Sequence, residues 1–454
     1  MPVKPVIFVP GFPASELVKK ATGKRIFPPP LGDLLSNTRK QQLIRLLCGP
    51  DTPPGDIVAG EPIRDVLGIA KQAQSLYERL QEYGYTIGSG DNFRAVGWDW
   101  RRGIDDASMQ DRLADTIALL AQRNGGAKVV LIVHSTGGLV FRSLLESRPA
   151  LAPAIDHVLA FGVPWAGTLK ALRYLGKGEQ FGFGPASLKA TEVRTVMRHA
   201  QAAYDLFPPD PQKTQMTSAS GANLDLFVDA QGVQRGPLVD LAWSGSPPDP
   251  LVVAGAVVAD TRLAARSSTI LLAGQPTPTI TNVVGWGGTT DVRCVLSPQG
   301  KLFFRSGKEG DSTVASASAA WLRGATVRTF FLPIGAYPTS GIPRFHSRLW
   351  DSPPVYELFD QVLLNKSPEP FVCGAVDADQ ALDRQAPVTI RLTAADREGA
   401  PLPAATVKLP GVTGSAKKSF GGHVRMDFVF NRGVLSANVA GTDLFRFVAL
   451  VEWS

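Results

Sequence analysis

The strongest constraint on this chain is an apolar run, Val129-Val130-Leu131-Ile132-Val133, that passes directly into His134-Ser135-Thr136-Gly137-Gly138. A near-continuous run of this kind suits a strand in the middle of a parallel sheet, where both faces are covered. The residues after it, about Gly138–Glu146, read as a helix. The junction is therefore a tight strand-to-helix turn with a serine at its apex. Such a turn imposes unusual backbone angles and close packing, so small residues must flank the serine. Gly137 and Gly138 meet that need on one side; on the other, Val133 stands where the usual pattern has glycine.

Other segments repeat the alternation of strand and helix. Lys4–Val9 and Phe93–Val96 read as strands, Lys71–Tyr83 as a helix with apolar residues at the helical period, and Ser108 caps a helix running to about Gln122. His157–Val163 is the next strand; Thr269–Ala273, Leu302–Phe304 and Val327–Leu332 resume the pattern; Val355–Leu364 is the last helix. This order predicts a mostly parallel, doubly wound α/β sheet. Between about 165 and 268 the alternation weakens into Gly, Pro, Ala and isolated aromatics, as expected of a lid or cap inserted over the sheet edge. From about Pro368 short runs alternate with period two, for example Val388, Ile390 and Leu392, or Val424, Met426, Phe428 and Phe430. These predict a small β-sandwich-like module over 368–454, separate from a domain at 1–367.

Composition narrows the functional classes. With 44% hydrophobic and 19% charged residues, the 454-residue chain is neither a disordered nor a membrane-embedded type. No stretch approaches a spanning helix, and the N-terminus lacks the apolar segment of a secretory signal. The expectation is a cytoplasmic protein, or one exported without a cleaved signal. A net charge of +7 permits nucleic acid or an anionic membrane surface as partner. The basic residues are scattered, apart from pairs such as Arg101-Arg102 and Lys417-Lys418, and no nucleic-acid module is legible, so transient membrane contact is the better expectation. Cys48, Cys294 and Cys373 have no CxxC spacing and read as reduced thiols. No His/Cys cluster has metal-ligand spacing, and neither metal nor organic cofactor is expected.

A serine at its ordinary pKa needs a base to act as a nucleophile. Of the five histidines, His346 alone follows all the core strands and precedes the last helix. His134 adjoins the serine and should point away; His157, His199 and His423 lie in an early strand, the insertion and the C-terminal module. In a serine–acid–histidine order, Asp311, in Gly310-Asp311-Ser312-Thr313-Val314, is the best acid, with Asp291 second and Asp260 third. An oxyanion needs backbone N–H donors. Thr136, after the nucleophile, and Phe12, in Val9-Pro10-Gly11-Phe12-Pro13, are the candidates; Pro13 has no N–H. Ser135, Asp311 and His346 thus form a candidate triad on an α/β-hydrolase fold.

These pieces together resemble the lecithin:cholesterol acyltransferase family, which includes lysosomal-type phospholipase A2. Phe8-Val9-Pro10-Gly11 is similar to its first strand and oxyanion loop. Gly97-Trp98-Asp99-Trp100-Arg101 is similar to its Tyr-Asp-Trp-Arg signature, with Trp98 in the tyrosine place. His134–Gly138, Gly162–Thr168, Tyr204-Asp205-Leu206-Phe207-Pro208, Gly310–Val314 and His346 complete the series. The resemblance implies an enzyme that takes an acyl chain from a lipid ester and passes it to water or to an alcohol. Trp165 and Phe207 are its substrate-contact candidates, with Phe181, Phe183 and Leu206 either lining an acyl pocket or packing inside the cap. Asp99 and Arg101, flanked by two indoles, read as a buried brace rather than as catalytic groups. The family's secretion signal and lid disulfide have no counterpart in this sequence. A soluble-ester or peptide hydrolase, and a binding protein with a vestigial hydrolase core, are the other readings.

Overall fold

In the computed structural model, the residues described are 4–51, 55–66, 70–71, 73–87, 92–183, 186–209, 216–218, 220–222, single helical positions within 255–265, and 266–297. The description continues over 302–307, 310–333, 346–351 and 353–365, then over the backbone of six C-terminal strands. Much of the expected insertion, including Asp260, lies outside them, as do His423, Val424, Lys417 and Lys418.

Six strands build the parallel core: β1 (Val6–Val9), β2 (Phe93–Ala95), β3 (Val129–His134), β4 (Ile155–Phe161), β5 (Thr279–Trp286) and β6 (Val327–Pro333). They lie in the order β2-β1-β3-β4-β5-β6, every neighbour parallel. Every residue of β1 and β3 except His134 is an apolar side chain at most 1% exposed, the burial expected of strands covered on both faces. One apolar layer contains Ile7, Val9, Leu131 and Val133, with the helices Ala107–Arg123 and Thr136–Ser147. The other contains Phe8, Val130 and Ile132, with the helices Gln74–Glu82 and Pro353–Leu363. Asp106, rather than Ser108, caps the helix Ala107–Arg123, its carboxylate accepting from Met109 N–H. The sequence order reverses between β1 and β3. Loops leaving neighbouring strands at such a switch point diverge and open a crevice at the carboxyl edge of the sheet.

Two expectations about strands change. Thr269–Ala273 is irregular, and β5 forms instead at Thr279–Trp286, where Asn282 and Gly285 interrupt the apolar pattern. Both interruptions have a tertiary cause. Asn282 is fully buried, accepting from the Trp165 indole N–H (3.1 Å) and donating to the Ala319 carbonyl (2.8 Å). A Cβ on Gly285 would lie 2.6 Å from Asp311 Cβ. Leu302–Phe304 joins a side sheet of Met216–Ser218, Thr290–Leu296 and Leu302–Gly307 instead of the core.

The C-terminal strands are β7 (Phe371–Val376), β8 (Pro387–Ala395), β9 (Ala404–Leu409), β10 (Met426–Asn431), β11 (Val434–Ala440) and β12 (Val451–Trp453). β12 pairs antiparallel with β6 and parallel with β7, and the remaining strands continue as β7-β8-β11-β10-β9, giving a 12-stranded sheet. The described strands of the 368–454 region are hydrogen-bonded in a sheet that runs on from β6. The pairing of β12 to β6 supplies the hydrogen bonds that an open core edge would leave unmade.

Candidate functional site

Ser135 sits at the apex of the turn between β3 and the helix Thr136–Ser147 with φ 52° and ψ −130°, a conformation that is costly for a residue with a side chain. Its hydroxyl makes no capping bond to the helix, so it is not an ordinary N-cap serine. The surroundings explain the glycines. A Cβ on Gly137 would meet Val9 O at 2.4 Å, one on Gly138 would meet Val163 Cγ1 at 2.5 Å, and one on Gly11 would meet Ser135 Cβ at 2.6 Å. Val133 causes no such conflict; it is fully buried in the core behind the turn.

Asp311 and His346, 35 residues apart, meet beside this turn: His346 Nδ1 lies 2.6 Å from Asp311 Oδ2. Asp311 is 1% exposed, and its other oxygen accepts from the backbone N–H groups of Thr313 (3.0 Å) and Val314 (2.8 Å). The carboxylate thus has a fixed orientation. With Nδ1 engaged, His346 Nε2 is buried and has no hydrogen-bond partner, and no bond joins it to the Ser135 hydroxyl. Both Ser135 and His346 line one cavity of about 240 Å³, and catalytic hydrogen bonds are often formed only once substrate is bound. Asp291, the second acid candidate, is committed elsewhere, forming a two-point ion pair with Arg173 at 2.6 Å for each bond.

The oxyanion candidates also line this cavity: Phe12 leaves β1 and Thr136 opens the helix. The Trp98–Arg101 segment braces the Phe12 loop, as expected. Trp98 Nε1–H donates to Pro10 O (2.9 Å), Trp98 N–H to Ser15 Oγ (3.0 Å) and Trp100 Nε1–H to Ser15 O (3.3 Å). Arg101 pairs with Asp99 and Asp51, fixing the segment from below.

The cavity is mostly apolar. Phe27, Trp100, Phe181, Val193, Val196, Met197 and Leu206 form much of its wall, and Lys170, Tyr174 and Glu179 contribute polar atoms. Phe181 and Leu206 therefore line the cavity, whereas the side chain of Phe183 lies outside the described residues. Trp165 and Phe207 do not line the cavity. Trp165 is fully buried, with its indole N–H bound to Asn282, and Phe207 is 1% exposed and packs on Tyr204. Both are core residues because the core supplies their partners.

Sequence reasoning missed His134. Its ring does not point away but lies 4.8 Å from the His346 ring and 5.1 Å from the Trp350 ring, centroid to centroid. His134 Nε2 is 2.9 Å from the His346 carbonyl, which can only accept, so this nitrogen carries the proton. Complete burial, reinforced by the neighbouring His346, brings the His134 pKa down to about 3. A neutral imidazole thus ties the nucleophile turn to the His346 backbone. Adjacency in sequence was the available signal. Of the other histidines, His157 bonds Thr281 Oγ1 within the sheet and His199 bonds Thr195 O on a helix surface. Cys48 and Cys294 are free thiols, with burial raising their pKa values to about 11 and about 12; the side chain of Cys373 lies outside the described residues. Among the described residues no His/Cys/Asp/Glu group could hold a metal ion, and no helix is long and apolar enough to cross a membrane.

Residues 66–245 match the family model "Lecithin:cholesterol acyltransferase". The chain is 32% identical over 137 residues to the "Lysosomal phospholipase A and acyltransferase" of Canis lupus familiaris, covering 30% of this chain and 32% of that protein. It is 27% identical over 143 residues to the protein of the same description from Bos taurus, covering 31% of this chain and 34% of that one. The matches thus span about a third of the length of these relatives. Among solved structures, a chain of "The crystal structure of Tle4-Tli4 complex" aligns with TM-score 0.45 and 16% identity over 76% of this chain and 93% of its own. "Phospholipase PlaB from Legionella pneumophila" aligns with TM-score 0.25 and 12% identity over 95% of this chain and 91% of its own.

Proposed function

We propose that this protein is a serine hydrolase acting on acyl esters of lipids through an acyl-enzyme on Ser135. The observation that carries the reading is the Asp311–His346 pair at 2.6 Å and a serine held at φ 52°, with Ser135 and His346 both lining an apolar cavity. Asp311 accepts from Nδ1–H and so leaves Nε2 without a proton, able to accept one from Ser135. Ser135 Oγ attacks the ester carbonyl, the proton passes to His346 Nε2, and Asp311 stabilises the resulting imidazolium. The N–H groups of Phe12 and Thr136 hold the oxyanion, and the dipole of the helix Thr136–Ser147 adds to them. The Thr136 hydroxyl, buried and without a partner, donates to the same oxygen. His346 then returns the proton to the leaving alkoxide, and later activates water or an alcohol against the acyl-enzyme.

The apolar cavity favours an acyl chain over a peptide or a small polar ester, and the lysosomal phospholipase relatives point the same way. Contact with a lipid surface during turnover is part of the proposal, as is the division into 1–367 and 368–454. The test is incubation with mixed lipid vesicles, wild type beside Ser135→Ala, with products read by mass spectrometry. Release of fatty acid or acylated alcohol by wild type alone is expected. Equal product from both proteins would remove the proposal. Labelling of Ser135 by a fluorophosphonate in the folded protein separates it from a vestigial core that only binds lipid.

A further inference from the structure

The loop that carries Asp311 is held in a conformation it would not take unaided. Ser312 has φ 79°, in the left-handed region that is costly for a residue with a side chain. The N–H groups that fix Asp311 Oδ1 belong to the next two residues, Thr313 and Val314, so the direction of the carboxylate follows from that angle. Threonine hydroxyls grip the loop on both sides. Thr290 opens the side-sheet strand Thr290–Leu296 and is 1% exposed. Its Oγ1 accepts from Ser312 N–H at 2.8 Å and donates to Gly288 O at 2.9 Å. Gly288 N–H in turn donates to Gly310 O at 2.8 Å. Across the loop, Thr168 Oγ1 donates to Thr313 O at 2.6 Å. The packing leaves little slack, since a Cβ on Gly310 would lie 2.5 Å from Thr290 Oγ1.

We propose that Thr290 is a positioning residue for the acid of this site, acting through Ser312 N–H on Asp311 and through Asp311 on His346; the inference rests on the function proposed above. Thr290 does not line the cavity that Ser135 and His346 share, so it has no direct part in holding substrate. Without its hydroxyl, Ser312 N–H has no acceptor and nothing offsets the cost of the left-handed angle. The turn then relaxes, the Thr313 and Val314 N–H groups move with it, and Oδ2 leaves its 2.6 Å contact with His346 Nδ1. The side sheet, outside the parallel core, thereby belongs to the site: it fixes the acid. Thr168 supports the same loop but also caps the helix Leu169–Gly176, accepting from Lys170 N–H, so Thr290 isolates the effect better.

The experiment is a double-mutant cycle on kcat for a p-nitrophenyl acyl ester, with KM and urea unfolding measured for each protein. Thr290→Val keeps the side-chain shape; it should lower kcat on the order of a hundredfold, as a misplacement of about 1 Å does, with KM little changed. Thr290→Ser retains the hydroxyl and should keep kcat close to that of wild type. In the Asp311→Asn background the carboxylate to be positioned is gone, so adding Thr290→Val should lower kcat by less than about threefold. Glycine adopts φ 79° readily, so Ser312→Gly should return roughly tenfold of the kcat lost in Thr290→Val. Thr290→Cys, whose thiol is a weak acceptor, runs through the same cycle and gives the same readings if the valine variant does not fold. Three results overturn the positioning role alone: wild-type kcat in Thr290→Val, an equal loss in Thr290→Ser, or the same fold-loss with and without Asp311→Asn. If Asp311→Asn itself keeps kcat near that of wild type, or Ser135→Ala turns the ester over, the function proposed above fails and the positioning role fails with it.

Discussion

Replacing Asp311 by asparagine alters one atom of the site and tests how the imidazole is oriented. Asp311 Oδ1 accepts two backbone N–H bonds, from Thr313 and Val314, and its other oxygen faces His346 Nδ1. In Asp311→Asn the amide oxygen must keep the two backbone donors, since leaving them unpaired costs about 1–3 kcal/mol each. The amide NH₂ is then directed at Nδ1. Two donors cannot face each other, so Nδ1 loses its proton and Nε2 carries it. That tautomer cannot accept a proton from Ser135, and the stabilising negative charge is gone as well. A wrong tautomer of this kind costs on the order of 10⁴ in kcat, which corresponds to about 5 kcal/mol of transition-state stabilisation. The assay is steady-state turnover of a p-nitrophenyl acyl ester, with KM and near-ultraviolet circular dichroism as controls for binding and packing. The expected result is a collapse of kcat with KM and the spectrum little changed. If Asp311→Asn keeps more than about a tenth of wild-type kcat, the tautomer reasoning is wrong and another group orients the base.

Other consequences are open to measurement. Thr136→Val keeps the backbone N–H and the side-chain shape but removes the unpartnered hydroxyl; kcat should fall roughly a hundredfold, the low end of the range for a lost oxyanion donor, and Thr136→Ser should restore it. Trp98→Phe removes the indole donor to Pro10 O and leaves that buried carbonyl unpaired; unfolding by urea should show a loss of about 1–3 kcal/mol. Gly137→Ala places a methyl carbon against the Val9 and Pro10 carbonyls, and soluble protein with wild-type activity would contradict the packing described for the turn. Burial lowers the His134 and His157 pKa values to about 3 and about 4, below their 6.5 reference. Both stay neutral in the native state while the unfolded chain binds protons below pH 6.5, so stability falls as pH drops towards those values. Between pH 7 and pH 5 each histidine should cost about 2 kcal/mol, and His157→Asn should reduce the loss seen in urea titrations at the two pH values.

Much of the parallel core was legible before any coordinates, because strands buried on both faces must be apolar throughout. β1 and β3 could be recognised for that reason, β4 from its apolar half Val158–Phe161, and the helices between them from their apolar stripes. β5 was not, because its polar and glycine positions answer to partners distant in sequence: Trp165 and Ala319 for Asn282, Asp311 and Leu349 for Gly285. The burial of Trp165 and Phe207 was not legible for a related reason, since an aromatic side chain carries no local sign of whether it faces a cavity or a core.

Residue type and chain order alone singled out Ser135, Asp311 and His346, because nucleophile, acid and base are few chemical kinds and this fold uses them in one order. The sequence also marked Trp98–Arg101 as a brace, since two large indoles favour burial and an acid–base pair buried with them is tolerated only when mutually paired. Only the tertiary structure decided which nitrogen of His346 is occupied, which acid holds it and where His134 points. Those are distances between side chains brought together from separate strand ends, and no local pattern encodes a distance across a sheet.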